Sequence, residues 1–586
     1  MLARLGLSSL FLASITAATF AYSTDAAACG GFFCDGGPQG MPVDQTGENI
    51  LFAFDGDTVE VHIQIAYDAN TDASKFSWVI PVTALPDFQV GSELLFNNVL
   101  SGTVPFYGLN TSTEICGDDS GNAQNPNDGG FDSSGDSATG AGTSGGEGTD
   151  TGGGPTIVYA ATVGAFDVVV LQGGTTDELV QWLDDNGYQQ NPDAVPILDA
   201  YLKEGNLFAA FKLVPAEKPI VHPIVLRYQG VEPCVPIRLT RIASVEDMDI
   251  RVFFLGDHRA IPTNYRHVLV NPLKIDWPNF AANYKEVVTA AVDAFEAAGN
   301  AFVTEYAGPS DVISQFGLFD SGWNPKAFAG MAAVDVPAAL NQQNLLYCED
   351  YGEVYCSYNH PLLQSLLLQY LPPPMGISPD DFYNCITCYE GMIDLDAWGD
   401  GSGFSNDFTD RIYNPGERAV NLLNAKPYVT RMYTTISPHE MNEDPMFAEN
   451  PDLPEIPSQR MAAKLRRCDG HAEYTLPDGR EVFVPNDGDW PEFPGEMPWE
   501  EETTQMTLVG PPQVLRTNSE QIDKMLEDWN LANRPTYDTL GAADSSGTGT
   551  EGGCGCVSQP GSEGMIASMA FFGLLGAGQL RRRRRG

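Results

Sequence analysis

The sequence predicts an α+β fold: a β-rich main module with helical insertions, stabilised by disulfides and interrupted by disordered linkers. Three observations predict it. "ILFAFDGDTVEVHIQIAY" sets apolar residues on both sides of Asp55-Gly56, a strong hairpin signal. "AFDVVVLQGGTTDELVQWLDDNGY" passes from a strand into an amphipathic helix. Eleven cysteines accompany an N-terminal leader pattern, and export makes disulfides permissible.

The leader is "MLARLGLSSLFLASITAATFAYSTDAAAC". Arg4 is a positive n-region, Leu5 to Phe20 are mostly apolar, and Ala26-Ala27-Ala28 supplies small residues for cleavage. Residues 1–28 therefore read as a secretory signal peptide cut between Ala28 and Cys29. A lipoprotein signal with Cys29 acylated fits less well, because Asp25 and the alanines occupy the place of a larger apolar residue.

Residues 29–116 form the N-terminal β-rich part of the main module. Cys29 and Cys34 are close enough to pair across a glycine turn. Val59, Val61, Ile63 and Ile65 alternate with Thr58, Glu60, His62 and Gln64, which predicts one buried face and one wet face carrying His62. "KFSWVIPVTAL" is a further strand. Residues 117–155, rich in Gly, Ser and Asp, cannot bury enough apolar area to offset their ordering entropy and read as a disordered insertion.

Residues 156–272 continue the module as α+β. A Thr175/Glu178 capping box opens a helix that Gly187 closes. A second helix fits Asp193–Glu204, and strands fit "LFAAFKLV", "IVLRY", "PIRLTRIA" and "DIRVFFLG". Residues 273–475 are rich in Cys and aromatics, and their sequence leaves open whether they fold separately. They begin with an Ala-rich helix, "NYKEVVTAAVDAFEAAG". Cys348, Cys356, Cys385 and Cys388 read as two bridges; four cysteines also suit zinc, but the gap between the first two is wide for paired knuckles. Residues 476–534 read as an exposed acidic, Pro-rich loop, "WPEFPGEMPWEEETTQ", and a late helix, "SEQIDKMLEDWNLANR". Residues 535–553 are a Gly/Ser/Thr linker.

The chain carries 31 basic and 78 acidic side chains, a balance of −47. Removing residues 1–28 (one Arg, one Asp) and 557–586 (five Arg, one Glu) leaves 25 against 76, or −51. Such a surface repels phosphate backbones, so nucleic acid is not an expected partner. General solubility and a basic or cationic partner both fit the charge.

Residues 554–586 hold Cys554 and Cys556, an uncharged run from Met565 to Leu580, and five arginines, Arg581–Arg585. The apolar run spans about 24 Å as a helix. That is marginal for a hydrocarbon core of about 30 Å, and the arginines would keep the end cytoplasmic. The order of stalk, cysteine, short apolar segment and arginine cluster resembles the C-terminal sorting signal of myxobacterial surface proteins (the MYXO-CTERM type). The resemblance implies a C-terminal transmembrane sorting helix at 565–580, a sorting protease that cuts near the cysteine, and a membrane-lipid anchor on Cys554 or Cys556. An uncleaved membrane anchor and a soluble basic tail are the other readings of these residues.

"ACGGFFC", "PVDQTGENILFAFDG", "FSWVIPVTALPDFQVG", "VVVLQGGTTDELVQWLDDNGY" and "PYVTRMYTTISPHEMNEDPMF" together resemble domain of unknown function 2330, a family of secreted bacterial proteins. The resemblance spans about residues 28–475. It implies export, one principal module and the Cys29/Cys34 pair, and it brings no activity and no catalytic residue.

No pair among the seven histidines has metal-ligand spacing. Asp257-His258-Arg259 reads as a solvated turn at a strand end. "ISPHEMNEDP" places Ser437, His439, Glu440 and Asp444 near one another in sequence, which does not by itself make a triad. Asp394, Asp396 and Asp400, among glycines, read as an acidic turn, with a calcium set as the other reading; Trp398 takes an EF-hand ligand position and the terminal glutamate is missing. The reading is an exported, surface-anchored protein of binding or structural class, with an unknown surface ligand or protein as partner. A secreted hydrolase and a calcium-dependent surface module are the alternatives.

Overall fold

A computed structural model describes residues 45–534, except 56–57, 68–76, 116–153, 189–191, 214–221, 230–232, 243 and 487–488. The leader with Ala28, the Cys29/Cys34 pair, nearly all of the 117–155 insertion, the 535–553 linker and the tail with Cys554, Cys556 and the 565–580 run lie outside the described residues.

Ten strands make one mixed sheet. At its centre β1 (Gln45–Asp55) pairs antiparallel with β2 (Thr58–Tyr67) and parallel with β10 (Ser244–Gly256). β9 (Ile224–Gln229) and β4 (Asp87–Val90) follow β2. Beyond β10 come β16 (Tyr428–Ile436), β13 (Ala301–Pro309), β12 (Arg266–Val270), β21 (Glu500–Gln505) and β22 (Gln513–Thr517). A four-stranded antiparallel sheet runs β3 (Ser77–Val82), β8 (Leu207–Leu213), β7 (Phe166–Gln172), β6 (Thr156–Val163). Another runs β20 (Glu481–Val484), β19 (Ala472–Thr475), β18 (Gln459–Arg466), β5 (Phe106–Thr113), its last pair parallel. Two hairpin-sized sheets complete the set: β11 (Arg259–Pro262) with β17 (Phe447–Asn450), and β14 (Leu346–Asp350) with β15 (Val354–Tyr358).

The apolar runs "ILFAF" and "VFFL" are explained by burial on both faces. Ile50, Phe52, Val252 and Phe254 join Trp78, Ile80, Val168 and Phe211 of the β3 sheet in the main core. Leu51, Ala53, Phe253 and Leu255 point the other way and meet the helices Glu93–Thr103 and Asn414–Ala425 through Leu95, Phe96, Ala419 and Leu423. Each such large side chain contributes about 1.5–3 kcal/mol by leaving water.

The capping box forms as read: the Thr175 hydroxyl accepts the Glu178 N–H while Glu178 accepts the Thr175 N–H. Gly187 sits at φ +75°, the left-handed turn that closes this helix. The β1–β2 hairpin pairs Asp55 with Thr58. The four clustered cysteines form two disulfides, Cys348–Cys356 and Cys385–Cys388. Cys468 is also disulfide-bonded.

Four expectations change. His62 is 2 % exposed instead of wet. It is the register partner of Leu51, on the face that the two helices cover. "PIRLTRIA" is not a strand but a short helix, Ile237–Thr240, opened after Pro236. "WPEFPGEMPWEEETTQ" is not all exposed loop: Glu500–Gln505 is β21, with Thr503 and Thr504 buried, and Trp490, Phe493 and Trp499 pack on a core. The Ala-rich helix is only Tyr284–Val292 before turns lead to Gly299. Residues 273–475 share the large sheet through β13 and β16, while a helical segment within them gathers its own core around Phe328, Leu363, Leu367, Phe404 and Phe408.

Candidate functional site

Period two in β2, β3 and β9 points Val61, Ile63, Ile80, Val82 and Leu226 into the seam between the large sheet and the β3 sheet. The seam opens into a cleft of about 600 Å³, within the range of small-ligand sites. β3 is the edge strand of its sheet and carries Pro81, which lacks an N–H and suits an edge. Thr83, just after it, is exposed at the cleft wall.

The other end of the cleft is polar. The helix Val195–Lys203 brings Tyr201, the short helix Ile237–Thr240 brings Arg238, and the loop before β17 brings Asp444. Asn264 fixes that loop: its Nδ2 donates to Glu443 Oε1 at 3.0 Å and to the Asp444 carbonyl at 2.8 Å, and its Oδ1 accepts the Met446 N–H at 2.8 Å. Cys234 forms a β-bridge with Met446 and is half-buried in the cleft wall.

Asp444 is 9 % exposed and fully engaged. Its Oδ1 accepts the Arg238 N–H at 3.0 Å and its Oδ2 accepts Arg238 Nε at 2.9 Å. The Tyr201 hydroxyl lies 2.9 and 2.7 Å from the two oxygens. Arg238 continues to Glu204 with two bonds of 2.9 and 2.7 Å, and its guanidinium lies 4.0 Å from the Tyr201 ring centroid. Burial raises the Asp444 carboxyl above its ordinary value, against the pull of Arg238. Burial and then the Asp444 charge hold the Tyr201 phenol well above its usual range, so the hydroxyl stays a donor. The guanidinium is held charged chiefly by its bonds to Glu204.

Among the described residues that line the cleft, Glu204, Glu443 and Asp444 outnumber the one cation, Arg238. The site therefore offers an aliphatic wall and a polar end of negative charge. Such an arrangement suits an apolar body with a neutral or cationic, hydrogen-bond-donating head. A second depression of about 630 Å³ lies across Arg238 and Asn442, lined by Ile197, Ala200, Arg241 and Met441.

The residues singled out from sequence are placed as follows. Ser437 Oγ donates to Asp247 Oδ1 at 3.1 Å, and the Ser437 N–H donates to Glu440. His439 is exposed, with its ring 3.9 Å from Glu246 and from Glu440. Asp444 lines the cleft and bonds Arg238 and Tyr201, so the "ISPHEMNEDP" residues serve different neighbours. His258 is exposed in the turn between β10 and β11, where Glu449 accepts the N–H of Asp257 and His258. Asp394 caps the helix Leu395–Trp398, and Asp400 accepts the Ser402 N–H. Among the described residues no group of three or more His, Cys, Asp or Glu is arranged to hold a metal ion. None of their helices is long and apolar enough to cross a membrane.

Tyr201, Glu204, Arg238 and Asn264 carried no local signal: Arg238 lies in a stretch that reads as a strand, and its partner Asp444 is 206 positions away. Fold and site together define a β-rich α+β protein with a ligand-sized cleft between two sheets. The chain belongs to a family of uncharacterized proteins conserved in bacteria (DUF2330), whose model matches residues 23–330. Neither a curated protein nor a solved structure matches the chain. The matched span ends well before residue 475 and leaves out "PYVTRMYTTISPHEMNEDPMF". That stretch nevertheless supplies β16, which lies between β13 and β10, and Asp444.

Proposed function

We propose that the protein is an exported, surface-anchored binding protein, and that its ligand is a small amphipathic molecule held in the inter-sheet cleft. The observation that carries the reading is the pairing of an open aliphatic seam with the buried Asp444 at its polar end. A seam that served packing alone would close, because an unfilled apolar space forfeits contacts. The excess of carboxylates over Arg238 favours a neutral or cationic head.

The leader at 1–28 supports export, and the Cys554/Cys556 tail supports sorting and lipid attachment. In this reading the sorting protease and membrane lipid are partners during processing, the arginines are discarded, and the mature body sits at the outer surface. One acyl chain holds a protein only marginally, so a second chain accompanies the first.

Titration of the mature protein with Nile red, a neutral apolar dye, tests the cleft. Saturable one-to-one binding, weakened at least tenfold by Thr83→Trp at the cleft wall, is the expected result. Weak partitioning that never saturates and that Thr83→Trp leaves unchanged would overturn it.

A further inference from the structure

The β14–β15 hairpin has two faces of opposite character. Leu346, Cys348, Cys356 and Tyr358 face the helical core. The alternate residues Tyr347, Glu349, Tyr351, Glu353 and Tyr355 make the outer face, where Glu349 lies directly opposite Tyr355. The three rings are 57, 76 and 58 % exposed, unusual for aromatics side by side on so small a sheet.

The face is rigid. A two-stranded hairpin alone is marginal in water, but the Cys348–Cys356 disulfide joins residues directly opposite in register. The phenols are fixed as well. Tyr347 and Tyr351 donate to Glu349 at 3.0 and 2.6 Å, and Tyr355 donates to Glu353 at 2.8 Å. With the hydroxyl protons engaged, the face presents π surface and carboxylate charge.

The charge is uncompensated by neighbours in sequence. Residues 327–410 contain twelve Asp and Glu and not one Lys or Arg. The hairpin lies beyond residue 330, where the family match ends.

We propose that this face is a docking surface for a polypeptide segment bearing arginine or lysine side chains. A guanidinium or ammonium stacks on the electron-rich face of a tyrosine, and a carboxylate beside the ring adds Coulombic attraction. A neutral sugar would also stack and donate hydroxyls to Glu349 and Glu353, but it gains no Coulombic attraction from their charge. The surface is separate from the cleft, and the inference stands whether or not the cleft binds a ligand.

The test is titration of the mature protein with a fluorescein-labelled nona-arginine peptide at about 0.15 M salt, where distant surface charges are screened. The triple variant Tyr347→Ser, Tyr351→Ser, Tyr355→Ser keeps the net charge and changes only exposed side chains. It should weaken binding at least tenfold. Glu520→Gln with Glu527→Gln, on the exposed side of the helix Ser519–Asn533, removes two charges elsewhere and should change affinity less than twofold. If the tyrosine variant binds like the parent, or if both variants lose affinity alike, general acidity is responsible and the proposal fails. Saturable binding of cellohexaose in place of the peptide would also overturn it.

Discussion

Asp444 Oδ2 lies 2.9 Å from Nε of Arg238, and the same carboxylate accepts that arginine's own backbone N–H, across 206 positions of sequence. Two bonds to one residue fix the helix turn Ile237–Thr240 against the loop before β17. They set the polar end of the cleft.

Asp444→Ala should therefore destabilise the protein by about 2 kcal/mol or more, the cost of charge-assisted bonds lost from a buried donor set. Equilibrium urea unfolding at pH 7 measures it. An unchanged midpoint would mean that the network is not a structural element.

Glu48, on β1, is 6 % exposed, and its Oε2 finds no hydrogen-bond partner among the described residues. Burial pushes its carboxyl up to about 7. A carboxyl raised on folding contributes stability that is fully present below its unfolded value near 4.5 and is lost as pH rises through about 7. Glu48→Gln should abolish that loss and stabilise the protein at pH 8 by about 1–3 kcal/mol, read from unfolding midpoints at pH 5 and 8. Destabilisation at pH 8 would count against a neutral buried carboxyl.

His267 works in the opposite direction. It is buried, with Nε2 2.9 Å from Thr304 Oγ1, and burial, aided by Arg259, lowers it to about 3. His222, which accepts the Ala165 N–H, is lowered to about 4 by burial. A base depressed on folding contributes stability that is present above its unfolded value near 6.5 and is lost as pH falls through the folded value. Between pH 4.5 and 6.5 Glu48 and one histidine offset each other. In the Glu48→Gln background stability should fall on acidification by an added amount of up to about 1.4 kcal/mol per pH unit. His267→Gln should remove one proton's share of that slope. A slope unaffected by His267→Gln would assign it elsewhere.

The legible parts of this fold are local. The β1–β2 hairpin followed from Asp55-Gly56, the helix Thr176–Asp185 from its capping box, and two bridges, though not their pairing, from the clustering of four cysteines. Pairings between distant segments left no local trace. β1 runs parallel to β10, about 200 positions on, and β5 runs parallel to β18, 353 positions on. Alternation reports one buried face and is silent about helices that cover the other, so it leaves His62 wet where the structure buries it. β21 was hidden for the same reason: "EEETTQ" is acidic, yet it borders β12 and buries Thr503 and Thr504. The cleft has no local signature, because each wall comes from a different segment and Asp444 stands in sequence beside residues that serve other neighbours.

Anchoring predicts a definite mass. Protein recovered from the outer surface should lack residues 1–28 and everything after the modified cysteine, Cys554 or Cys556, and should carry lipid mass. Intact-mass measurement after detergent extraction reads both ends. Retention of Arg581–Arg585 on the mature chain would sink the sorting reading.

Native mass spectrometry of the protein released from cells without denaturation addresses the binding role itself. The account predicts one small-molecule adduct per chain, lost on collisional heating and missing from Thr83→Trp. A bare mass for the parent chain and the variant alike, with both folded, would show that the cleft between the sheets holds no ligand.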